Sequence, residues 1–226
     1  MGRAVALEIS KTGAEVILSA RGKDDLETLA AECPGPARVV PVDIADAESV
    51  ASAAREAGAV DGLVFLAGVY WPMTSQEFDG EKAAEMLDIN LTGAVRVLGH
   101  VVPRMIERGT GHIVLTGSLA GFRGLPGAVG YGASKAGIMS LAETMYADLK
   151  GSGIDVQLIN PGFIKTRLTD KNDFKMPFLM EPEAAAQQVV EHMSGSSFKK
   201  SFPFGFSLFF RLAQFLPDGI YYRLFG

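Results

Sequence analysis

The sequence predicts an α/β fold built on a doubly wound parallel sheet. Three observations carry that prediction. Short, apolar, β-prone runs alternate with longer segments of helical pattern. Three of those runs close on turn-forming residues, at Ala67-Gly68, at Gly117-Ser118 and at Asn160-Pro161-Gly162. With 226 residues, 48% of them hydrophobic and 21% charged, the chain can bury such a sheet on both faces.

The elements follow in order. Gly2-Arg3 leads straight into the helical run AVALEIS. Ala14 to Ala20 reads as a buried strand and Lys23 to Glu32 as a helix, opened by Asp24 and Asp25 at the positive end of its dipole. Ala37 to Val42 is a strand, Asp46 to Ala57 an alanine-rich helix, and Val60 to Leu66 a strand. Glu81 to Arg108 is helical in two pieces that meet near Asn90. His112 to Thr116 is a strand, Gly130 to Lys150 a helix and Ile154 to Ile159 a strand. Glu183 to Met193 is the last clear helix, and Lys199 to Phe202 an edge strand. Right-handed crossovers place the helices on both faces. No internal repeat or linker divides the chain, so residues 1–226 are expected as one domain, with 198–226 an aromatic-basic extension.

Composition excludes several functions. A net charge of -5 argues against a nucleic-acid binder, which needs a basic face. Cys33 is the only cysteine, so neither an internal disulfide nor a cysteine metal cage is available, and no metal site is expected. The first ten residues are amphipathic and carry Glu8, unlike a signal peptide. The apolar stretch from Phe202 to Leu216 is broken by Pro203, Gly205 and Arg211, too early to span a bilayer. A cytoplasmic homo-oligomer is the resulting expectation.

The chemistry centres on Tyr131-Gly-Ala-Ser-Lys135. Residues four apart on a helix share a face. A free tyrosine, with a pKa of about 10, is a poor base at neutral pH, and a neighbouring ammonium favours its phenolate. Alone, the pair is far more often a tyrosine and a solvated lysine on an amphipathic helix. Ser118 stands thirteen residues upstream, at the C-terminal end of a strand, where doubly wound folds place ligands. Asn90, in Asp-Ile-Asn-Leu-Thr-Gly, is read at a helix start, and Asn160-Pro161-Gly162 ends the strand after the tyrosine helix.

In that order and spacing these residues resemble the short-chain dehydrogenase/reductase family, from Gly2 to about His192. The resemblance implies a Rossmann-like fold and a catalytic tetrad of Asn90, Ser118, Tyr131 and Lys135. Tyr131 would be the general acid/base, Ser118 the partner of the substrate carbonyl, Lys135 the holder of the nicotinamide ribose, and Asn90 the anchor of a proton-relaying water. It also implies cofactor contacts at Gly2 and Arg3 in the glycine turn, Asp43-Ile44 at the adenine, Ala67-Gly68, and Pro161-Gly162-Phe-Ile164-Lys-Thr166 over the carboxamide. As plain structure, Asp43 opens a helix and Pro161-Gly162 makes a turn.

NAD-users of such folds carry an acid at the end of the second strand. Here that place reads Ser19-Ala20-Arg21, and a guanidinium suits a 2′-phosphate. NADP is therefore expected over NAD, with Arg3 as a second contact.

Three features depart from the family pattern. Gly2 matches only the last glycine of the phosphate loop, and the first strand, central between Ala14 and Val60, has no counterpart. The expectation is that Met1 is internal to a longer protein, and that the chain as given binds NADPH weakly and is less stable than one carrying that strand. Phe65-Leu66 replaces two asparagines that brace the sheet centre, and Gly117 replaces a frequent serine.

The expected substrate mouth is apolar: Tyr70, Trp71 and Met73; Leu119, Phe122 and Leu125; Phe163, Met176, Phe178, Leu179 and Met180. This suits a greasy or aromatic carbonyl. Residues 198–226 interleave aromatics with Lys199, Lys200, Arg211 and Arg223. Packing over the mouth or an oligomer contact is the favoured reading, an interfacial membrane anchor the other. Two functions stand: an oxidoreductase moving a hydride between NADP(H) and a carbonyl or alcohol, and a non-enzymatic dinucleotide-sensing or scaffold protein.

Overall fold

The computed structural model describes residues 1–225. Helix α1 (Gly2–Ser10) is followed by β1 (Val16–Leu18), α2 (Lys23–Glu32), β2 (Ala37–Val39) and α3 (Ala47–Ala57). The sequence pattern fixes α2 and α3 closely. Asp46 caps α3 by accepting the Glu48 amide at 2.8 Å, satisfying one of the orphan donors of a helix start. The strands are shorter than read, yet their backbone pairing continues outward: the Val42 amide donates to Ala20 O at 3.0 Å.

The second half runs β3 (Gly62–Phe65), α4 (Gly80–Leu87), α5 (Gly93–Arg108), β4 (Gly111–Thr116), α6 (Val129–Asp148), β5 (Ile154–Pro161), α7 (Pro182–Met193) and β6 (Lys199–Phe202). A π-helical turn, Asp88–Thr92, joins α4 to α5. The expected break near Asn90 is therefore a widened turn inside one helical run, and Asn90 sits within it rather than at a helix start. Two helices with no counterpart in the sequence reading, α8 (Phe204–Ala213) and α9 (Asp218–Phe225), complete the described chain.

All pairings are parallel, but they form two sheets: β1 with β2, and β3-β4-β5-β6 in that order. Among the described residues β1 and β3 each pair on one side only, matching the expected gap between them. Helix α1 covers both sheets. Ala4 and Val5 pack with Val64, Val114 and Ile159, while Ala6 and Leu7 pack with Val16 and Leu18. The main core lies under α5 and α6, where Met105, Ile113, Leu115, Ile138 and Leu158 are fully buried. Burial on both faces is what a parallel sheet needs, and it explains the continuous apolar stretch Ile113-Val114-Leu115 of β4.

Candidate active site

Strand β4 ends at Thr116, and the chain turns through Gly117 into a 3-10 turn, Leu119–Gly121, whose first amide pair is capped by Ser118. Ser118 Oγ accepts the Ala120 amide at 3.2 Å. Opposite it, the first turn of α6 carries Tyr131, with Ser134 and Lys135 following. The helix can lie this close because Gly121 puts no side chain between the 3-10 turn and α6, while Gly130 lets α6 approach α4. A Cβ on Gly130 would meet Met86 Cε at 2.7 Å, and one on Gly121 would meet the Ala136 amide at 2.9 Å.

Tyr131 and Lys135 share a face, with the ammonium 5.7 Å from the ring centroid. Burial pushes the phenol above its usual range, and a hydrogen bond from Ser118, which favours the phenolate, opposes that rise. Burial lowers the Lys135 ammonium to about 8. Lys135 Nζ donates to Thr116 O at 2.9 Å, the single acceptor it finds among the described residues. At neutral pH the lysine is thus a buried cation with donors to spare, directed at the sheet end beside Tyr131.

Asn90 is wholly buried and its side chain is fully engaged. Oδ1 accepts the Val69 amide at 2.7 Å, and Nδ2 donates to Val69 O and to Ser134 Oγ, both at 3.0 Å. Ser134 Oγ in turn donates to Tyr131 O at 2.8 Å. The side-chain amide therefore braces the 67–70 segment against α6, with both its hydrogens spent on protein acceptors.

This network also explains the two missing asparagines. Phe65 is core, and Thr116 Oγ1 donates to Phe65 O at 2.7 Å, tying β3 to β4 where polar side chains were expected. Asn90 ties the next segment. Gly117 is equally determined: a Cβ there would fall 2.1 Å from Asn160 Oδ1, a buried oxygen with no hydrogen-bond partner.

Of the expected cofactor contacts, several gather here. Gly68 lies over the pair, and a Cβ on it would stand 3.1 Å from Asn90 Oδ1 and 3.7 Å from Lys135 Nζ. Pro161 pairs with Phe202, and the Gly162 amide donates to Phe202 O at 2.8 Å, so β6 fixes the turn after β5. Ile164 is buried against Met180 through a β-bridge, and Thr166 is held by Thr169. Ala67 is exposed at the end of β3.

Others are placed differently. Arg3 forms an ion pair with Glu32 of α2, so its guanidinium is already engaged. Asp43 accepts the Ala45 amide at 3.0 Å and takes the local turn role. Ile44 packs on Gly93, and its carbonyl accepts from Arg96. Arg21 is exposed and without an ion pair among the described residues. Gly2 begins α1.

The mouth is narrower than read. Met73 and Leu119 are core, at 6% and 3% exposure, and Phe122 packs against the main cluster. Tyr70 remains, edge-on to Tyr131 at 5.0 Å, its hydroxyl donating to Asn172 Oδ1 at 3.0 Å. Phe163 and Phe174 form another edge contact at 5.8 Å. Sequence reasoning missed Thr116, Ser134 and Asn172. Ser134, one residue before Lys135, was visible in the motif, whereas the partnership of Asn172 with Tyr70 spans 102 residues and leaves no local signal.

A parallel α/β sheet with a serine, a tyrosine and a lysine gathered at its strand ends defines an oxidoreductase of the dinucleotide-binding type. The chain belongs to the short chain dehydrogenase family, which it matches over residues 1–176. It is similar to an uncharacterised oxidoreductase of Myxococcus xanthus, at 36% identity over 98% of this chain and 90% of that protein. It is also similar to the 3-oxoacyl-(acyl-carrier-protein) reductase of Thermotoga maritima, at 34% identity over 76% of this chain and 72% of that one. Among solved structures, a short-chain dehydrogenase from Sphingobium yanoikuyae in complex with NADPH superposes with a TM-score of 0.83. It is 25% identical and covers 98% of this chain and 89% of its own.

Proposed function

We propose that the protein transfers a hydride between NADP(H) and the carbonyl or alcohol carbon of an apolar small molecule, with Tyr131 as the general acid/base. The observation that carries this reading is the gathering of Tyr131 with the buried Ser118 and Lys135, the ammonium 5.7 Å from the tyrosine ring. A purely structural lysine would not be kept charged in the interior with one carbonyl for company, because an under-satisfied buried ammonium costs stability. Its spare donors suit vicinal ribose hydroxyls, and the side-chain-free Gly68 and Gly162 leave backbone where a flat ring needs room. Tyr131, Lys135, Gly68 and the Pro161–Thr166 segment would hold the nicotinamide end, and Arg21 the 2′-phosphate.

When bound, the nicotinamide supplies or receives the hydride. In reduction Tyr131, protonated at neutral pH because burial raises its pKa, donates its proton to the carbonyl oxygen. Ser118 donates a hydrogen bond to the same oxygen as charge develops there. Lys135 stabilises the phenolate left behind, and Asn90 with Ser134 holds that helix turn in place. Oxidation runs the same steps backwards. Proton transfer by one positioned group is worth about 10²–10⁴ in rate. Tyr70, Phe163 and Phe174 favour an apolar or aromatic substrate.

The test is turnover. The purified chain, with NADPH titrated to saturation and a panel of aliphatic and aryl ketones, is expected to consume the nicotinamide absorbance, faster than with NADH. Saturable NADPH binding by fluorescence with no turnover of any carbonyl or alcohol would overturn the enzyme reading in favour of a dinucleotide sensor.

A further inference from the structure

Helix α8 has the wrong surface for a helix on a water-facing body. Of its ten residues, FGFSLFFRLA, only Ser207 and Arg211 are polar, and Ser207 is buried with its hydroxyl bonded to Ser201 O and Phe204 O. The expected packing over the mouth holds for one side of the helix. Phe206 reaches the ring of Phe163 and lies 3.3 Å from a Cβ built on Gly162. The other side is apolar and uncovered: Phe204 and Phe215 keep 74% and 79% of their surface, and Leu212 keeps 61%. Leu208 and Phe209 are also exposed, as are Ile220, Tyr222 and Leu224 on α9. The neighbouring loop adds Phe178, whose ring sits 5.4 Å from that of Phe206. A soluble surface scatters such side chains singly; so many on two adjoining short helices mark a contact with something apolar.

The patch is not a frayed end. Arg123, just after Ser118, donates to Gln214 O at 3.2 Å and Leu216 O at 2.5 Å, pairs with Asp218, and lies 4.1 Å over the Tyr221 ring. Tyr221 is buried, and its hydroxyl donates to Gly124 O at 3.1 Å. The body therefore holds the two helices with their apolar sides outward.

Charge selects the occupant. Residues 198–226 carry Lys199, Lys200, Arg211 and Arg223 against Asp218, a net +3, while the whole chain is -5; the first 197 residues are thus at -8. Lys199 and Lys200 are paired with Glu143 and Glu191, but Arg211 and Arg223 are exposed and without ion pairs among the described residues. A two-fold contact would set this net-positive face against an identical one, which like charge disfavours. Exposed aromatics and leucines with free arginines, on a face opposite in sign to its body, match a surface that settles into anionic lipid headgroups. No helix among the described residues is long and apolar enough to cross a membrane. We propose that α8 and α9, with the tip at Phe178, dock the protein on the surface of an anionic lipid bilayer. The loop that walls the candidate active site then lies at the lipid boundary.

Co-sedimentation tests this with the whole chain and two sets of vesicles, phosphatidylcholine alone and phosphatidylcholine with phosphatidylglycerol. Partition onto the anionic vesicles, weaker on the neutral ones, is expected. Replacing the exposed Phe204, Leu212 and Phe215 together by serine should weaken that partition by at least about tenfold with an unchanged melting temperature. Arg211→Gln and Arg223→Gln should each cost about fivefold on anionic vesicles and little on neutral ones. Absence of wild-type binding to either vesicle, or binding that the serine variant retains in full, overturns the proposal. So does a light-scattering mass that shows a dimer lost in the serine variant without vesicle binding, which assigns the face to a second copy.

Discussion

Strands β4 and β5 pair on both sides and bury Ile113, Val114, Leu115, Leu158 and Ile159 completely, whereas β1 and β2 pair only with each other and bury Leu18 alone among their residues. The candidate chemistry stands on the first pair and the candidate adenine and 2′-phosphate contacts on the second. Proton transfer needs atoms fixed to within a few tenths of an ångström, and a doubly paired, doubly buried strand supplies that stiffness. Recognition of a phosphate by a flexible arginine tolerates a looser support.

Five substitutions in four experiments sharpen the contrast, in falling order of effect. Tyr131→Phe removes only a hydroxyl from the ordered half; kcat should fall by about 10²–10⁴ while NADPH affinity by fluorescence titration stays within a few-fold. A variant keeping more than about a tenth of the rate would show that another group carries the proton.

Next comes a matched pair of cavities. Ile113→Ala, under β4, should cost about 2–5 kcal/mol in denaturant unfolding, whereas Ile17→Ala, half-buried in β1, should cost about 1 kcal/mol or less. Equal costs would mean that the two sheets are equally consolidated.

Lys135 gives a pH signature confined to the ordered half. Its folded pKa, about 8, lies below the ordinary 10.5, so the buried charge costs stability in full below pH 8. Between pH 8 and 10.5 the unfolded chain holds more protons than the folded one, and the cost fades. Wild-type stability should therefore rise relative to Lys135→Met across that window, as read by urea midpoints at each pH. A flat difference would place the ammonium in contact with water.

The smallest effect belongs to the looser half. Arg21→Asp should lower the kcat/KM preference for NADPH over NADH by about five- to tenfold, the weight of one exposed charge-assisted contact. An unchanged ratio would make Arg21 a surface charge only.

The sequence by itself determined whatever depends on neighbours along the chain. Apolar runs flanked by turns specified the strands, and Asp46 specified the start of α3. The four-residue spacing put Tyr131 and Lys135 on one helix face, and the unfavourable run around Asn90 marked where α4 gives way to α5. Tertiary structure decided whatever depends on partners far apart in the chain. The bond from Thr116 to Phe65 O stands where two asparagines are absent, and Arg3 pairs with Glu32 of α2. Asn90 is spent on Val69 and Ser134, and Arg123 turns the apolar sides of α8 and α9 outward. The physical reason is range. Periodicity and capping act within about one helical turn and are written into local spacing, while a hydrogen bond across 50 or 90 residues exists only once the strands between them have chosen their neighbours.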